Sequence, residues 1–445
     1  MTSRTIKIDL LSRVEGEGAL YIRVKKNAIE EIRFKIFEPP RFFEALLRGR
    51  DHAEAPDITA RICGICPVAY QMCAVHAMEN AFGITVDGQL RALRRLLYCG
   101  EWIESHALHI YMLHAPDFLG YPDSIQLSKN HPELVKQGLS FKKIGNEIIS
   151  LLGGRAIHPV NVKVGGFYAL PPVTALRELE KKLIQAEDAA FKMVSKIAEF
   201  DFPDFEVDYE FVSLSHPDEY PFNEGRLVSS KGLAIEVPAY ETNFSEHQVA
   251  YSNALHSELK GHDPYIVGPL ARFNLNFAKL SPNARQAAST AGVENGCNNP
   301  FKSIIIRSIE LVYAFGEALR IIREYEPPAE PSVPYQPCAG VGYSATEAPR
   351  GMLYHRYNLD QAGKITDCKI VAPTSQNQKR IERDLWDFVP AYMNQEKAEL
   401  TKKCEQLVRS YDPCISCATH FLNLTLERDC WIPNICRVIS QLFHA

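Results

Sequence analysis

Two C-x-x-C pairs, Cys63/Cys66 and Cys414/Cys417, stand near opposite ends of this chain, roughly 350 residues apart. If they serve one site, the fold must carry both regions to the same point. In Arg61-Ile-Cys63-Gly-Ile-Cys66-Pro67 the proline suits the first turn of a helix, so both sulfurs sit at a helix N-terminus. Free N–H groups and the macrodipole favour thiolate there. In Asp412-Pro413-Cys414-Ile-Ser-Cys417-Ala-Thr-His420 a helical turn would put Cys414, Cys417 and His420 on one side. Four thiolates suit a soft metal. Spacing alone leaves three readings open: a structural zinc site, a redox metal site, and two unrelated thioredoxin-like motifs. The long separation argues against a zinc ribbon, whose pairs lie close in sequence. The other eight of the twelve cysteines are scattered, with no further pair of that spacing.

Composition narrows the setting. The 445 residues are 46% hydrophobic and 23% charged, ordinary for a globular chain with a sizeable core. Basic (49) and acidic (54) residues nearly balance, and no Lys/Arg block gives a footprint for nucleic acid. The apolar stretch 303–322 is interrupted by Arg307, Glu310, Glu317 and Arg320, so no membrane span is expected. The opening MTSRTIKIDLLSRVEGEG lacks the apolar run of a secretory signal. The expected location is cytoplasmic, where thiols stay reduced and metal or redox chemistry outranks disulfides.

Alternating apolar positions between 5 and 37 (Ile6, Ile8, Leu10; Leu20, Ile22, Val24; Ile32, Phe34, Ile36) predict a small antiparallel sheet. Helical periodicity predicts helices over 42–50, 66–82, 89–115, 132–152, 173–200, 244–260, 299–325 and 376–411. Pro67, Pro132 and Pro300 sit near their starts, and Gly83 and Gly153 after ends. Segments 201–243 and 326–350 read as loops and short strands. The fold class is mostly α with small β excursions. Met352–Leu359 and Ile365–Val371 read as a hairpin around Asp360-Gln361-Ala362-Gly363. Centred there, the hairpin pairs position 350 with 373, so Arg350 and the Pro373-Thr374 step emerge side by side at its open end.

Seven landmarks, in order, resemble those of the [NiFe]-hydrogenase large (catalytic) subunit. They are Arg13-Val-Glu15-Gly16; Phe43-Glu44-x5-Arg50; the first cysteine motif; Gly153-Gly-Arg155-x-x-His158-Pro159 with Gly165-Gly166-Phe167; Val267-Gly-Pro-Leu-Ala-Arg272; Glu347-Ala-Pro-Arg350-Gly351; and the second cysteine motif. Pro221-Phe-Asn-Glu-Gly-Arg226 and Val267–Arg272 are most similar to the soluble, cofactor-coupled cytoplasmic group. The resemblance implies long helices around a buried metal site in one domain over 1–420. Its parts would be a sheet over 5–37, a helical body over 42–325, a hairpin over 352–371 and a C-terminal helix with the cysteine motif over 376–420. Residues 421–445 would form an extension.

The resemblance also implies the chemistry. Nickel would be held by four sulfurs, Cys63 and Cys414 terminal, Cys66 and Cys417 bridging to an iron that carries carbon monoxide and cyanide. Soft thiolates suit such electron-rich metals. The reaction is reversible heterolytic cleavage of dihydrogen, with the Cys414 thiolate receiving the proton. Glu15 would relay it onward; Glu17 is a lower-ranked rival, and without the resemblance Glu15 reads as an exposed turn carboxylate. Arg350 would lie over the open side of the metals, its fixed fork holding anionic cyanide, with Thr374 and Pro373 beside a second cyanide. Asp117 and Asp412 would surround that arginine; taken alone, Asp117 reads as a helix-terminal surface residue. Glu44, His420 and the backbone carbonyl near Ile370 map to a second, hard-metal site for magnesium, or iron given the histidine. His106, His109 and His114 share one long helix and read first as core or interface residues, second as a path toward a small subunit. His158 reads as structural.

Tyr70 stands where many family members carry histidine, and position 414 is cysteine, not selenocysteine. The family commonly loses its tail after the final histidine once nickel is loaded, so the mature chain is expected to end at His420. No second Cys₄ cluster and no GxGxxG after a strand occur, which implies an iron–sulfur small subunit and further electron-transfer subunits binding NAD(P), flavin or deazaflavin. The alternative to a hydrogenase is a non-catalytic or sensory hydrogenase-like subunit of a redox complex. Non-catalytic relatives have lost the cysteine pairs, which this chain retains.

Overall fold

The computed structural model describes residues 3–26 and 28–419. Strands β1 (Ser3–Ile8), β2 (Gly18–Lys25) and β3 (Ala28–Ile36) form an antiparallel sheet in that order. Its period-two pattern buries Ile6, Leu20, Ile22, Phe34 and Ile36 on one face. The β1–β2 connection carries Arg13 and Glu15.

Five long helices build the body: α1 (Pro67–Phe82), α2 (Gly88–Ala107), α3 (Pro132–Gly153), α4 (Val173–Ala198) and α5 (Ser303–Glu324). Proline opens α1 and α3, and Gly83 and Gly154 close them in the left-handed region, so α3 runs through Gly153. Helices α2 to α5 pack on one another, and α1 and α5 are buried on nearly all sides. The predicted helix 89–115 is not uniform. It widens into a π-helical stretch, Leu108–His114, before a short helix, Ala115–Leu119.

A second antiparallel sheet, β4 (Gly340–Ala348), β5 (Gly351–Leu359) and β6 (Ile365–Val371), packs on α1. Strand β4 lies in the segment 326–350, read from sequence as loops and short strands, and is longer than that reading expects. Tyr354 faces Val371, two residues out of the expected register, because Lys364 belongs to the turn and a bulge lies at Asn358/Leu359. A two-residue slip keeps every side chain on its face, so Arg350 and Thr374 still leave the same end of the sheet.

Two predicted helices are corrected. The segment 244–260 is a hairpin, Phe244–Gln248 against Leu255–Leu259. Its tip is tied to β3 by Asn253 N–H donating to Ile36 O (2.7 Å) and Ile36 N–H donating to Ser252 Oγ (3.3 Å), bonds a helix could not offer. The segment 376–411 is two helices, α6 (Pro373–Phe388) and α7 (Lys397–Ser410), separated around Pro390. Short helices Ala55–Thr59, Pro269–Asn276 and Pro282–Thr290 were not expected. The stretch 201–243 contains short paired strands, as its composition suggests.

Candidate metal centre

Cys66 is the N-cap of α1, and Cys63 lies just ahead of it. Two backbone N–H groups of this turn, from Ile65 and Cys66, donate to Cys63 Sγ at 3.3 Å each. The second motif comes in beside the β1–β2 connection: Glu15 and Cys414 form a parallel bridge, and Ile415 N–H donates to Glu15 O (3.0 Å). This seam brings the two cysteine pairs together. Cys63 Sγ lies 3.5 Å from Cys414 Sγ, Cys66 Sγ 3.5 Å from Cys417 Sγ, and Cys414 Sγ 2.7 Å from Cys417 Sγ. All four sulfurs fall within 4.8 Å of one another, and all four residues are buried.

The electrostatics of the cluster limit how many of its thiols ionise together. Hydrogen bonds from Cys414, Cys417 and Cys66 hold the Cys63 thiol well below its ordinary range, against the effect of burial. Burial pushes Cys66, Cys414 and Cys417 upward. One thiolate is tolerated and the rest resist ionising, as expected of a dry sulfur group whose full deprotonation is coupled to metal binding.

Charged groups stand on two sides. Glu15 Oε2 lies 3.1 Å from Cys414 Sγ and accepts from Ser416 N–H (3.0 Å). Arg350 donates from Nε to Asp412 O (2.8 Å) and from Nη2 to Asp412 Oδ1 (3.1 Å). Burial alone would lower the guanidinium, but Asp412 and the sulfurs of Cys414, Cys66 and Cys63 hold it above its ordinary value, so it stays charged. Arg350 Nη1 and Asp412 Oδ2 are buried without a partner. Asp412 itself sits in the left-handed region at φ 52°, a conformation Asp tolerates at a cost. Gly351, at φ 137°, and Gly268, at φ 112°, enclose the arginine's backbone. A Cβ on Gly268 would meet Arg350 O at 2.7 Å, and one on Gly351 would meet Gly268 N at 2.8 Å. Thr374, in the first turn of α6 after Pro373, accepts from Cys414 N–H (3.0 Å). Arg350 and Thr374 thus converge on residues 412–414.

Other expected residues fall elsewhere. Asp117 does not join Arg350: its carboxylate is held by Arg13 and Arg409, with 2.8 Å contacts to Arg409 Nε and Nη2. The cause is that Asp117 sits past the π-helical stretch, where α7 presents Arg409 to it. Glu44 Oε1 accepts from Ile370 N–H (2.8 Å), so those two residues are neighbours; His420 and the extension lie outside the described residues. Tyr70 is buried against the cluster, and burial with the nearby Cys417 and Cys66 sulfurs raises its phenol. His106 bonds Glu310 (2.8 Å), His109 bonds Arg409 O (2.7 Å), and His114 lies 3.4 Å from Ser410 Oγ, all three fully buried. His158 Nδ1 lies 2.7 Å from Ala60 O.

Sequence reading missed three residues of the surround. Glu101, on α2, accepts from Val68 N–H (2.6 Å) and Ala69 N–H (3.2 Å), closing the N-terminus of α1 behind Cys66. A buried acid among apolar neighbours on a long helix was the only signal. Arg41 Nη2 donates to Ile62 O (2.6 Å) and to Ser416 O, clamping both cysteine segments. Ser416 Oγ reaches Glu15 Oε1. Neither has a local sequence signal, because their partners are distant in the chain.

Comparison with known proteins follows the same outline. The family description "nickel-dependent hydrogenase" matches residues 41–138 and 235–420. The chain is 36% identical over 425 residues to sulfhydrogenase 2 subunit alpha of Pyrococcus furiosus, covering 94% of this chain and 100% of that one. It is 26% identical over 474 residues to the NAD-reducing hydrogenase HoxS subunit beta of Cupriavidus necator, covering 94% and 95%. Among solved structures, an NAD+-reducing [NiFe]-hydrogenase in the H2-reduced state superposes with a TM-score of 0.83 at 26% identity, over 94% of this chain and 99% of that one.

Proposed function

The chain belongs to the nickel-dependent hydrogenase family as a large subunit, and from that premise we propose that it is the catalytic subunit of a cytoplasmic [NiFe]-hydrogenase that splits dihydrogen reversibly. The observation that carries this reading is the meeting of Cys63, Cys66, Cys414 and Cys417 in one buried group beside Glu15 and Arg350. The sulfur donor set fits a soft, redox-active metal pair. Cys63 and Cys414 would hold nickel, and Cys66 and Cys417 would bridge to iron. Bound there, the metals supply the electron-pair acceptor that dihydrogen cleavage needs.

The chain's own groups would do the rest. Cys414 Sγ takes the proton and Glu15, at 3.1 Å, removes it. Arg350 keeps its charge and has a spare donor, Nη1, for an anionic ligand of the iron, and Asp412 fixes the orientation of the guanidinium. Thr374, whose Oγ1 accepts from Cys414 N–H, would donate its hydroxyl to a second such ligand. Asp117 locks Arg13 and Arg409, and so would hold the β1–β2 connection that carries Glu15. Glu44, the Ile370 carbonyl and His420 would hold magnesium.

Electrons would leave to an iron–sulfur small subunit and from there to subunits binding NAD(P), flavin or deazaflavin. Among the described residues the only group of four cysteines is the one above, and no helix is long and apolar enough to cross a membrane. The test is elemental analysis of the purified complex with infrared spectroscopy and hydrogen-dependent dye reduction. Nickel and iron in equal amounts, bands of metal-bound carbonyl and cyanide, and dye reduction are expected. Zinc in their place would overturn the reading.

A further inference from the structure

On the reading that Cys414 and Glu15 take the proton of dihydrogen, we propose that Ser416 and Glu38 carry that proton from Glu15 to the surface. Contacts trace the route. Cys414 Sγ lies 3.1 Å from Glu15 Oε2. The other carboxylate oxygen, Glu15 Oε1, accepts from Ser416 Oγ, and that same Oγ lies 3.1 Å from Glu38 Oε1. Cys414 is 1% exposed, whereas Glu15, Ser416 and Glu38 are all half-buried, so the route leaves the buried sulfur group and continues along its rim.

A serine hydroxyl has one proton and two lone pairs. Set between two carboxylates, it donates to one, and its lone pairs face the other. That second contact is a hydrogen bond only when the second carboxyl carries a proton. The trio is therefore complete with one shared proton on either side. The proton taken from Cys414 sits on Glu15 Oε2, so the carboxyl first turns about Cγ–Cδ to bring it to Ser416; Glu15 then gives that proton to Oγ while Oγ gives its own to Glu38 Oε1. Serine ends neutral, Glu15 ends ionised, and Glu38 holds the proton until water removes it.

The backbone holds the trio in place. Ser416 N–H donates to Glu15 Oε2 (3.0 Å), and Glu17 N–H donates to Glu38 Oε2 (3.4 Å). Gly16, at φ 83°, lets the segments close: a Cβ there would stand 2.6 Å from Glu38 Oε2 and 2.8 Å from Ile415 Cβ. The side chain of Glu17 is exposed and outside this chain of contacts.

The experiment uses the metal-loaded complex with Glu38→Gln, Ser416→Ala, Glu38→Asp and, as control, Glu17→Gln. Nickel content is measured first. At unchanged nickel, Glu38→Gln and Ser416→Ala should slow both hydrogen-dependent dye reduction and exchange of D2 with water by about ten- to a hundredfold. They should also enlarge the solvent deuterium isotope effect, and Glu38→Asp should recover most of the rate. Wild-type rate and isotope effect in Glu38→Gln would overturn the proposal. So would equal slowing in Glu38→Gln and Glu38→Asp with an unchanged isotope effect, the mark of a scaffold role. If Ser416→Ala fails to load nickel, the Glu38 variants decide. Failure of the underlying hydrogenase reading looks different: the wild-type complex itself would show no D2 exchange.

Discussion

Two arginines in neighbouring motifs, both buried, are treated very differently by this fold. Arg272 uses all five donors: Nε and Nη2 to Glu310 (3.0 and 2.9 Å), Nη1 to Glu347 (3.0 Å) and Ala348 O (2.7 Å), and Nη2 again to Pro349 O (2.9 Å). Trp102 covers its face at 4.1 Å, and Tyr220 and His106 complete Glu310 at 2.8 Å each. Arg350 lies three residues beyond Glu347, yet it keeps Nη1 unpartnered, as does its ion-pair mate at Asp412 Oδ2. A buried polar group left unmet costs on the order of 1–3 kcal/mol, and this pair stands beside the sulfur group, where an anionic ligand could meet the free donor. The first arginine is structure. The second is held ready.

That contrast can be broken by experiment. The largest effect should come from Cys417→Ser, which removes a sulfur from the working region: bound nickel falls to background and dye reduction drops roughly a thousandfold or more, while helix content by circular dichroism stays near wild type. Arg350→Lys keeps charge but loses the planar fork. Activity per nickel should fall about a hundred- to a thousandfold with little change in thermal midpoint. Arg272→Met should do the reverse, costing about 3–5 kcal/mol in stability by leaving two acids with their cation gone, with activity per nickel preserved in the fraction that folds. If the two variants gave the same pattern, the distinction between the regions would be lost.

The smallest effect is a dependence on pH. Burial alone would raise Glu310, but the Arg272 guanidinium and the hydrogen bond from His106 outweigh it and hold the carboxyl down to about 2. Glu310 therefore adds stability above the ordinary carboxylate range, near ~4.3, and that gain is lost as pH falls toward 2. The gap in denaturant midpoint between wild type and Glu310→Gln should be full above about pH 5 and close near pH 2. A gap independent of pH would sink the assignment.

The same contrast explains what could be read in advance. The sulfurs, Glu15 and Arg350 lie in short motifs that the family resemblance picks out, and the hairpin count sets Thr374 beside Arg350 even with a register two residues out. Asp117 failed because its partners, Arg13 and Arg409, depend on where the π-helical stretch aims the following turn. Residues 244–260 failed because β3 supplies hydrogen bonds that local periodicity cannot reveal. The unbroken helix over 376–411 ignored Pro390, a signal that was present. Arg41 acts across distant segments and leaves no mark on its own surroundings, and Glu101 leaves only that of an acid among apolar neighbours on a long helix.

The central claim is that sulfur from both ends of the chain surrounds one nickel. X-ray absorption at the nickel edge of the purified complex tests it most directly. A first shell dominated by four sulfurs, losing one in Cys414→Ser and one in Cys63→Ser, is the predicted result. A shell of nitrogen and oxygen, or one unchanged when either motif is altered, would contradict the account.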